Sequence, residues 1–191
     1  MKTLGVVGVG ALGSHVVQLL RNVGANIKVI DFDRVEQKNV QSQFHGKPHV
    51  GKAKVEAMKQ TMNFLFGIKI ETISNKLTKD NQSELLGKAD LVIDCLDNGA
   101  GRRVIQDYVR KLGIPCLHGA LAPDGQFGRV IWDEGFTIDD ESGVGAATCE
   151  DGEHLPFIAI TSSYLAHASK VFLTKGTKVG FSISPAGTIC I

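Results

Sequence analysis

The sequence predicts an α/β fold, a mostly parallel sheet flanked by helices with an antiparallel extension on its C-terminal side. Three observations carry that expectation. The apolar run Leu4 to Val7 enters Gly8-Val9-Gly10-Ala11-Leu12-Gly13-Ser14 and then a helical pattern of Val16, Val17, Leu19 and Leu20, the strand, turn and helix that open a βαβ unit. Two later apolar runs, from Ile27 and from Ala89, each end in an acid, Asp31 and Asp94, so several strands finish on one polar edge. Gly125 to Trp132 alternates as an added antiparallel strand, and residues 178–191 read as a closing hairpin.

Between these anchors the elements follow in order. A polar excursion from Asp31 contains Asp31-Phe32-Asp33-Arg34-Val35-Glu36, Asn39 and Gln43 and is broken by Gly46-Lys47-Pro48. Val50 to Phe66 reads as an amphipathic helix starting near Gly51, and Ile68 to Ile73, β-branched and alternating, as a third strand. A short helix over Asn81 to Gly87 precedes the strand Ala89 to Asp94. The next helix, Gly101 to Leu112, has Val104, Ile105, Tyr108, Val109 and Leu112 as its expected buried stripe, and Gly113 to Ala120 supplies another strand. Asp133 to Glu153 is acidic and aperiodic, a loop. Leu155 to Leu173 is apolar and rich in alanine and serine, a helix buried in the domain or in a homodimer interface.

The totals exclude several classes. At 191 residues and 43% hydrophobic, the chain supports one sizeable core and is expected to be a single domain over residues 1–191. Lys and Arg number 21 against 20 Asp and Glu, so no global field draws the protein to nucleic acid or to an acidic membrane. No apolar run reaches the ~20 residues of a membrane span. Cys95, Cys116, Cys149 and Cys190 form no C-x-x-C pair, which gives no reason to expect structural zinc and suggests free thiols in a reducing cytoplasm. Lys2 before an apolar run imitates a signal peptide, yet the glycines lie at fingerprint spacing and no small-residue cleavage site precedes Asp31.

The glycine turn is built for an anion. Glycines permit positive φ and close backbone approach, and a helix N-terminus adds about half a positive charge. Asp31 follows Gly13 by 18 residues, where a carboxylate that receives ribose hydroxyls belongs. These features alone suit ATP and a dinucleotide equally, so an NAD-dependent oxidoreductase stays open.

The wider order of motifs resembles the ubiquitin-activating-enzyme-like adenylyltransferases of the ThiF/MoeB type. The matching parts are Gly8-x-Gly10-Ala11-x-Gly13-Ser14, Asp31-x-Asp33-x-Val35-Glu36-x-x-Asn39, Gln43, Gly51-x-x-Lys54, Asp94-Cys95-x-Asp97-Asn98 and Arg102. The resemblance covers most of the chain to about Leu173. The resemblance implies a Rossmann-like fold and an enzyme that joins a carboxylate to the α-phosphate of ATP, giving an acyl-adenylate and pyrophosphate. It implies nucleotide contacts at Gly8, Gly10, Ala11, Leu12, Gly13, Asp31, Asp33, Asn39, Gln43, Lys54, Asp97 and Asn98. Of these, Asp31 would take the ribose, Lys54 the phosphates, Asn39 the orientation of the triphosphate and Asp97 a Mg²⁺ ion. The physics accords: an attacking carboxylate must approach about four negative charges, which a cation and magnesium offset. The acyl acceptor would be the C-terminal glycine of a ubiquitin-like or sulfur-carrier protein, or a small-molecule acid of cofactor biosynthesis.

The chain also departs from that pattern. Ser42 stands where the family carries an arginine before Gln43, and the family's zinc-binding C-x-x-C pairs are missing. Lys47, Arg21 and Arg34 are the candidates to restore the lost charge. The loss supports a contrasting reading, a nucleotide-binding interaction module without turnover. Other residues have plain alternatives: Lys54 as an ordinary helix lysine, Asp94 as a turn cap, and Arg102 as a solvated partner of Asp107 or as a support for the site's carboxylates. Cys149 lies in a loop near His154, but its acidic neighbours disfavour a thiolate. His45, His49, His118, His154 and His167 show no metal-ligand spacing.

Overall fold

The structure, a computed structural model, describes residues 1–122, 124–138, 152 and 154–191. Eight strands form one sheet: β1 (Thr3–Val7), β2 (Asn26–Ile30), β3 (Glu71–Ile73), β4 (Leu91–Asp94), β5 (Cys116–Leu121), β6 (Gly128–Trp132), β7 (Phe181–Ser184) and β8 (Gly187–Cys190). Their spatial order is β3-β2-β1-β4-β5-β6-β7-β8. Strands β1 to β5 are parallel and β5 to β8 antiparallel, the mixed sheet that the sequence predicts.

Five helices cover it: α1 (Ala11–Leu19), α2 (Lys54–Phe66), α3 (Gln82–Leu86), α4 (Gly99–Leu112) and α5 (Leu155–Lys175). The period-2 alternation of the strands sorts their side chains onto two faces. Leu4, Val6, Ile27 and Val29 pack with Val16 and Val17 of α1, Met58 and Met62 of α2 and Leu165 of α5. Val7, Ile30 and Val92 pack on the opposite side with Leu86 of α3 and Ile105 and Val109 of α4. The chain winds outward from β1 in both directions, so β1 and β4 flank the topological switch point, where ligands bind beyond the carboxyl ends of the strands.

Two expectations need correction. The second helix starts at Lys54 and not near Gly51, because the preceding residues are engaged elsewhere: Val35 N donates to Lys52 O, Gly51 N to Val35 O, and Arg34 bridges Ala53. Leu112 is 53% exposed. The buried face of α4 instead comprises Gly99, Arg102, Ile105, Gln106, Tyr108 and Val109, since two of its polar residues serve a buried charged cluster. Helix α5 turns Ile158, Leu165, Ala166 and Ala168 inward, and Ser162 Oγ donates to Leu12 O across 3.3 Å. Much of the apolar area that suggested a dimer is therefore covered within the chain. Among the described residues no helix is long and apolar enough to cross a membrane.

Candidate active site

Each glycine of the turn after β1 has a distinct steric reason. Gly8 has φ +86°, and a Cβ there would stand 3.0 Å from the Cys95 carbonyl oxygen. A Cβ on Gly13 would stand 1.8 Å from Gly8 O, so helix and strand approach too closely for any side chain. Gly10 ends the turn and precedes α1 with no side-chain cap. The first N–H groups of α1, at Ala11, Leu12 and Gly13, thus have no intrahelical acceptor and face the positive end of the helix dipole outward. Leu12's side chain is core, 6% exposed, so it contributes backbone only.

Asp31, 9% exposed at the end of β2, buttresses this turn. Its Oδ2 accepts from Val9 N at 2.7 Å and its Oδ1 from Asp33 N at 2.8 Å. Burial raises its pKa, while Lys54 and those two N–H groups pull the other way. Lys54 opens α2, 8% exposed, with Nζ 3.1 Å from Asp33 Oδ2. It is not the plain solvated lysine of the alternative reading. Lys52, two residues earlier, is exposed and donates to Gln60 instead.

Asn39 is 4% exposed, and its Oδ1 accepts from Glu36 N at 2.8 Å in a reciprocal capping box of the 3-10 turn Gln37–Gln41. Only its amide nitrogen end is left to donate elsewhere. Gln43 lies beside the glycine turn, its Nε2 3.9 Å from where a Gly10 Cβ would be. Asn98 caps α4, accepting from Gly101 N at 2.8 Å. Asp97 is exposed on the loop after β4. That loop is tied to the glycine turn, because Cys95 N donates to Val7 O at 2.9 Å. The predicted residues thus gather along one sheet edge in two groups, Gly8–Gly13 with Asp31, Asp33, Asn39, Gln43 and Lys54, and Asp97 with Asn98.

A single exposed carboxylate on a loop is the donor set that magnesium takes when it keeps waters and phosphate oxygens as its other ligands. Asp97 fits that role. Among the described residues no three His, Cys, Asp or Glu side chains converge as a metal cage, so any ion here would draw its remaining ligands from a nucleotide and water.

Sequence reasoning missed a buried ionic cluster directly beneath this loop. His118, fully buried on β5, has Nδ1 2.7 Å from Asp94 Oδ2 and Nε2 3.0 Å from Asp133 Oδ1. Its ring stacks on Phe136 with centroids 4.1 Å apart. Arg102 pairs with Asp94 at 3.0 Å and donates to the carbonyls of Leu96 and Gly119, while Gln106 and Arg110 hold Asp133. Arg102 therefore supports Asp94, the buried carboxylate at the end of β4, and Asp107 pairs with Lys79 at 3.5 Å instead. Burial disfavours a charged His118, but the hydrogen bonds to Asp133 and Asp94 outweigh it and raise its pKa. Burial likewise works against ionised Asp133, and its bonds to His118, Arg110 and Gln106 bring it down to about 2. The available signal was the pairing of a strand-end acid with a helix arginine eight residues on; nothing local marked His118. Cys149 lies outside the described residues, and burial pushes the Cys95 and Cys116 thiols up, which leaves neither as a nucleophile.

The ThiF family model matches residues 2–175. Over 133 residues the chain is 38% identical to the adenylyltransferase and sulfurtransferase UBA4 of Lodderomyces elongisporus, covering 68% of this chain and 29% of that protein. It is 31% identical over 170 residues to the molybdopterin-synthase adenylyltransferase of Escherichia coli K12, covering 84% of this chain and 68% of the relative. The crystal structure of E. coli MccB with ATP superposes with a TM-score of 0.80 at 16% identity, over 100% of this chain and 62% of that one. The chain thus spans less than a third of the first relative's length and about two thirds of the second's.

Proposed function

The chain belongs to the ThiF family, and from that premise we propose that it is an ATP-dependent adenylyltransferase activating a carboxylate. The observation that carries the reading is the convergence, at one switch point, of an uncapped helix N-terminus, the ribose-type acid Asp31, the buried cation Lys54 and the exposed carboxylate Asp97. The two relatives named above are both adenylyltransferases.

In the reaction an oxygen of the acceptor carboxylate bonds to the α-phosphorus of ATP and the bond from that phosphorus to the bridging oxygen of pyrophosphate breaks. Both oxygens of Asp31 hold a backbone N–H and keep lone pairs for ribose hydroxyls. Glycine-turn and α1 N–H groups bind phosphate oxygens. Lys54, kept in place by Asp33, offsets charge gathering on the departing pyrophosphate. Asn39 and Gln43 orient the triphosphate. Asp97 would hold magnesium, which when bound neutralises phosphate charge. The pyrophosphate-forming step uses no thiol, so Cys149 is dispensable for it.

The acceptor in this proposal is the C-terminal glycine of a ubiquitin-like or sulfur-carrier protein, or a small-molecule acid, in a cytoplasmic setting. The same reading includes a homodimer, for which Ile160, 47% exposed on α5, offers an apolar contact; the mass by light scattering tests it. ATP–pyrophosphate exchange screened against ubiquitin-like tails and small carboxylates tests the activity. Acceptor-dependent exchange is expected. ATP binding with no exchange would reassign the chain to a binding module, and tighter NADH than ATP binding to an oxidoreductase.

A further inference from the structure

The Asp97 carboxylate is held loosely by its own contacts, with Asn98 Nδ2 3.5 Å from Oδ1. Its backbone decides where it stands. On one side Cys95 N is bonded to Val7 O, and on the other Asn98 caps α4. Between them Leu96 is pinned at both of its polar backbone atoms. Leu96 N donates to Asp94 Oδ1 at 2.9 Å, and Leu96 O, the carbonyl of the peptide that leads into Asp97, accepts from Arg102 Nη2. Both pins belong to the buried cluster around His118.

That cluster decides how Arg102 spends its two terminal nitrogens. An arginine beside a carboxylate favours a fork of two parallel bonds to two oxygens. Here Asp94 Oδ1 already holds Leu96 N, and Oδ2 meets His118 Nδ1 at 2.7 Å as well as Arg102 Nη1 at 3.0 Å. Arg102 therefore reaches Asp94 through one nitrogen, and Nη2 turns to the carbonyls of Leu96 and Gly119. Asp133, 3.0 Å from Nε2, keeps the His118 ring in this orientation, and Gln106 and Arg110 hold Asp133 in turn. Stability alone does not call for such an arrangement. Val92, Ile105 and Cys116 fill the same side of the sheet, and apolar residues in place of a buried ionic group are often neutral or stabilising. A fully bonded polar network adds one fixed geometry.

We propose that His118 and Asp133 are positioning residues for Asp97: by occupying Asp94 they leave Arg102 to fix the Leu96 carbonyl, and so hold the Asp97 carboxylate where magnesium and phosphate would meet it. This rests on the adenylation reading above and deepens it, since it adds two buried side chains that act on the site without touching the nucleotide. The coupling is reciprocal, so an ion taken up at Asp97 acts back on His118 through the same bonds.

The test is the magnesium dependence of ATP binding, measured by calorimetry on the wild type, His118→Gln and Asp133→Ala. Glutamine offers one nitrogen where the imidazole offers two, and alanine removes the outer acid. Ile105→Val is the control, because it loosens the packing of α4 without touching the cluster. ATP affinity in the absence of metal should be alike in all four, since the glycine turn and Asp31 are independent of the cluster. The magnesium concentration that half-saturates the tightening should rise roughly 10-fold in both cluster variants and stay unchanged in Ile105→Val. In nitrogen-15 spectra the Leu96 and Asp97 amides should move in the cluster variants only. An unchanged magnesium dependence in either folded cluster variant, or Leu96 and Asp97 amides that stay put, overturns the proposal and leaves the cluster as a source of stability alone. An equal rise in Ile105→Val overturns it as general loosening. A wild type that binds ATP without any response to magnesium instead removes the ion from Asp97, and the adenylation reading loses its metal together with this proposal. Should neither cluster variant fold, the His118 ring N–H resonances of the wild type decide: magnesium added to the ATP complex should shift them, and unmoved resonances overturn the proposal.

Discussion

Asp94 and His118 meet across the β4–β5 pair with Oδ2 and Nδ1 2.7 Å apart, both side chains fully buried. Asp133 closes on the other ring nitrogen at 3.0 Å, so one imidazole stands between two carboxylates, with Arg102 and Arg110 balancing the remaining charge.

This cluster makes stability depend on pH with a definite sign. The folded pKa of His118 is raised above its ordinary value of about 6.5. Its contribution is therefore complete below about pH 6.5 and is lost as pH rises through the higher folded value. Asp94 and Asp133 are lowered, so their contribution is present above about pH 4 and is lost on acidification. Urea unfolding at pH 6 and pH 9 should show lower stability at pH 9. His118→Gln should flatten that difference, and His118→Ala, which leaves two buried acids without their shared cation, should cost about 3–5 kcal/mol.

Lys54→Ala should lower pyrophosphate exchange by roughly 100- to 1000-fold, about 3–4 kcal/mol of transition-state stabilisation, with a smaller effect on ATP affinity. Lys52→Ala, exposed and bonded only to Gln60 among its observed side-chain contacts, should behave as wild type. Equal exchange in both folded variants would remove Lys54 from the mechanism.

Asp97→Ala should abolish most turnover while ATP still docks through the glycine turn and Asp31. The decisive reading is the magnesium dependence of ATP affinity, which should be strong in the wild type and shallow in the variant. A steep dependence in folded Asp97→Ala would put the ion elsewhere.

Gly13→Ala should be far more damaging than Gly10→Ala. The added methyl at Gly13 lands 1.8 Å from a backbone oxygen, against 3.9 Å to a side-chain nitrogen at Gly10. Thermal melting and ATP titration of the two proteins should show a marked loss in both measurements at Gly13 only.

Cys149→Ser should leave pyrophosphate exchange intact, since attack on the α-phosphate comes from the acceptor's own carboxylate. Loss of exchange in a folded variant would show that the thiol acts earlier than proposed.

Strands β1, β2, β4 and β6 were legible because each is a short apolar run that ends in or runs into a glycine or an acid, and the site edge because Gly8, Asp31 and Asp97 follow such runs. The start of α2 was not, since Gly51 and Lys52 have no local feature announcing that Val35 would take their backbone bonds. The stripe of α4 misled at Leu112 because periodicity marks apolar positions, whereas this helix buries Arg102 and Gln106 for carboxylates contributed from distant residues. His118 was invisible for the same reason: its partners come from residues 94 and 133, and only the folded sheet brings them together.

The central place of β1 also governs how a newborn chain acquires its shape. Residues 3–7 lie between β2 and β4, and the floor of the glycine turn closes only when Cys95 N reaches Val7 O. The side of β1 that pairs with β2 has its partner made first. Its other side waits for residues 91–94, made roughly 4–17 s after β1 itself at ordinary translation speeds. During that interval the first βαβ unit carries an unpaired apolar edge, open to wrong strand pairing until β4 arrives.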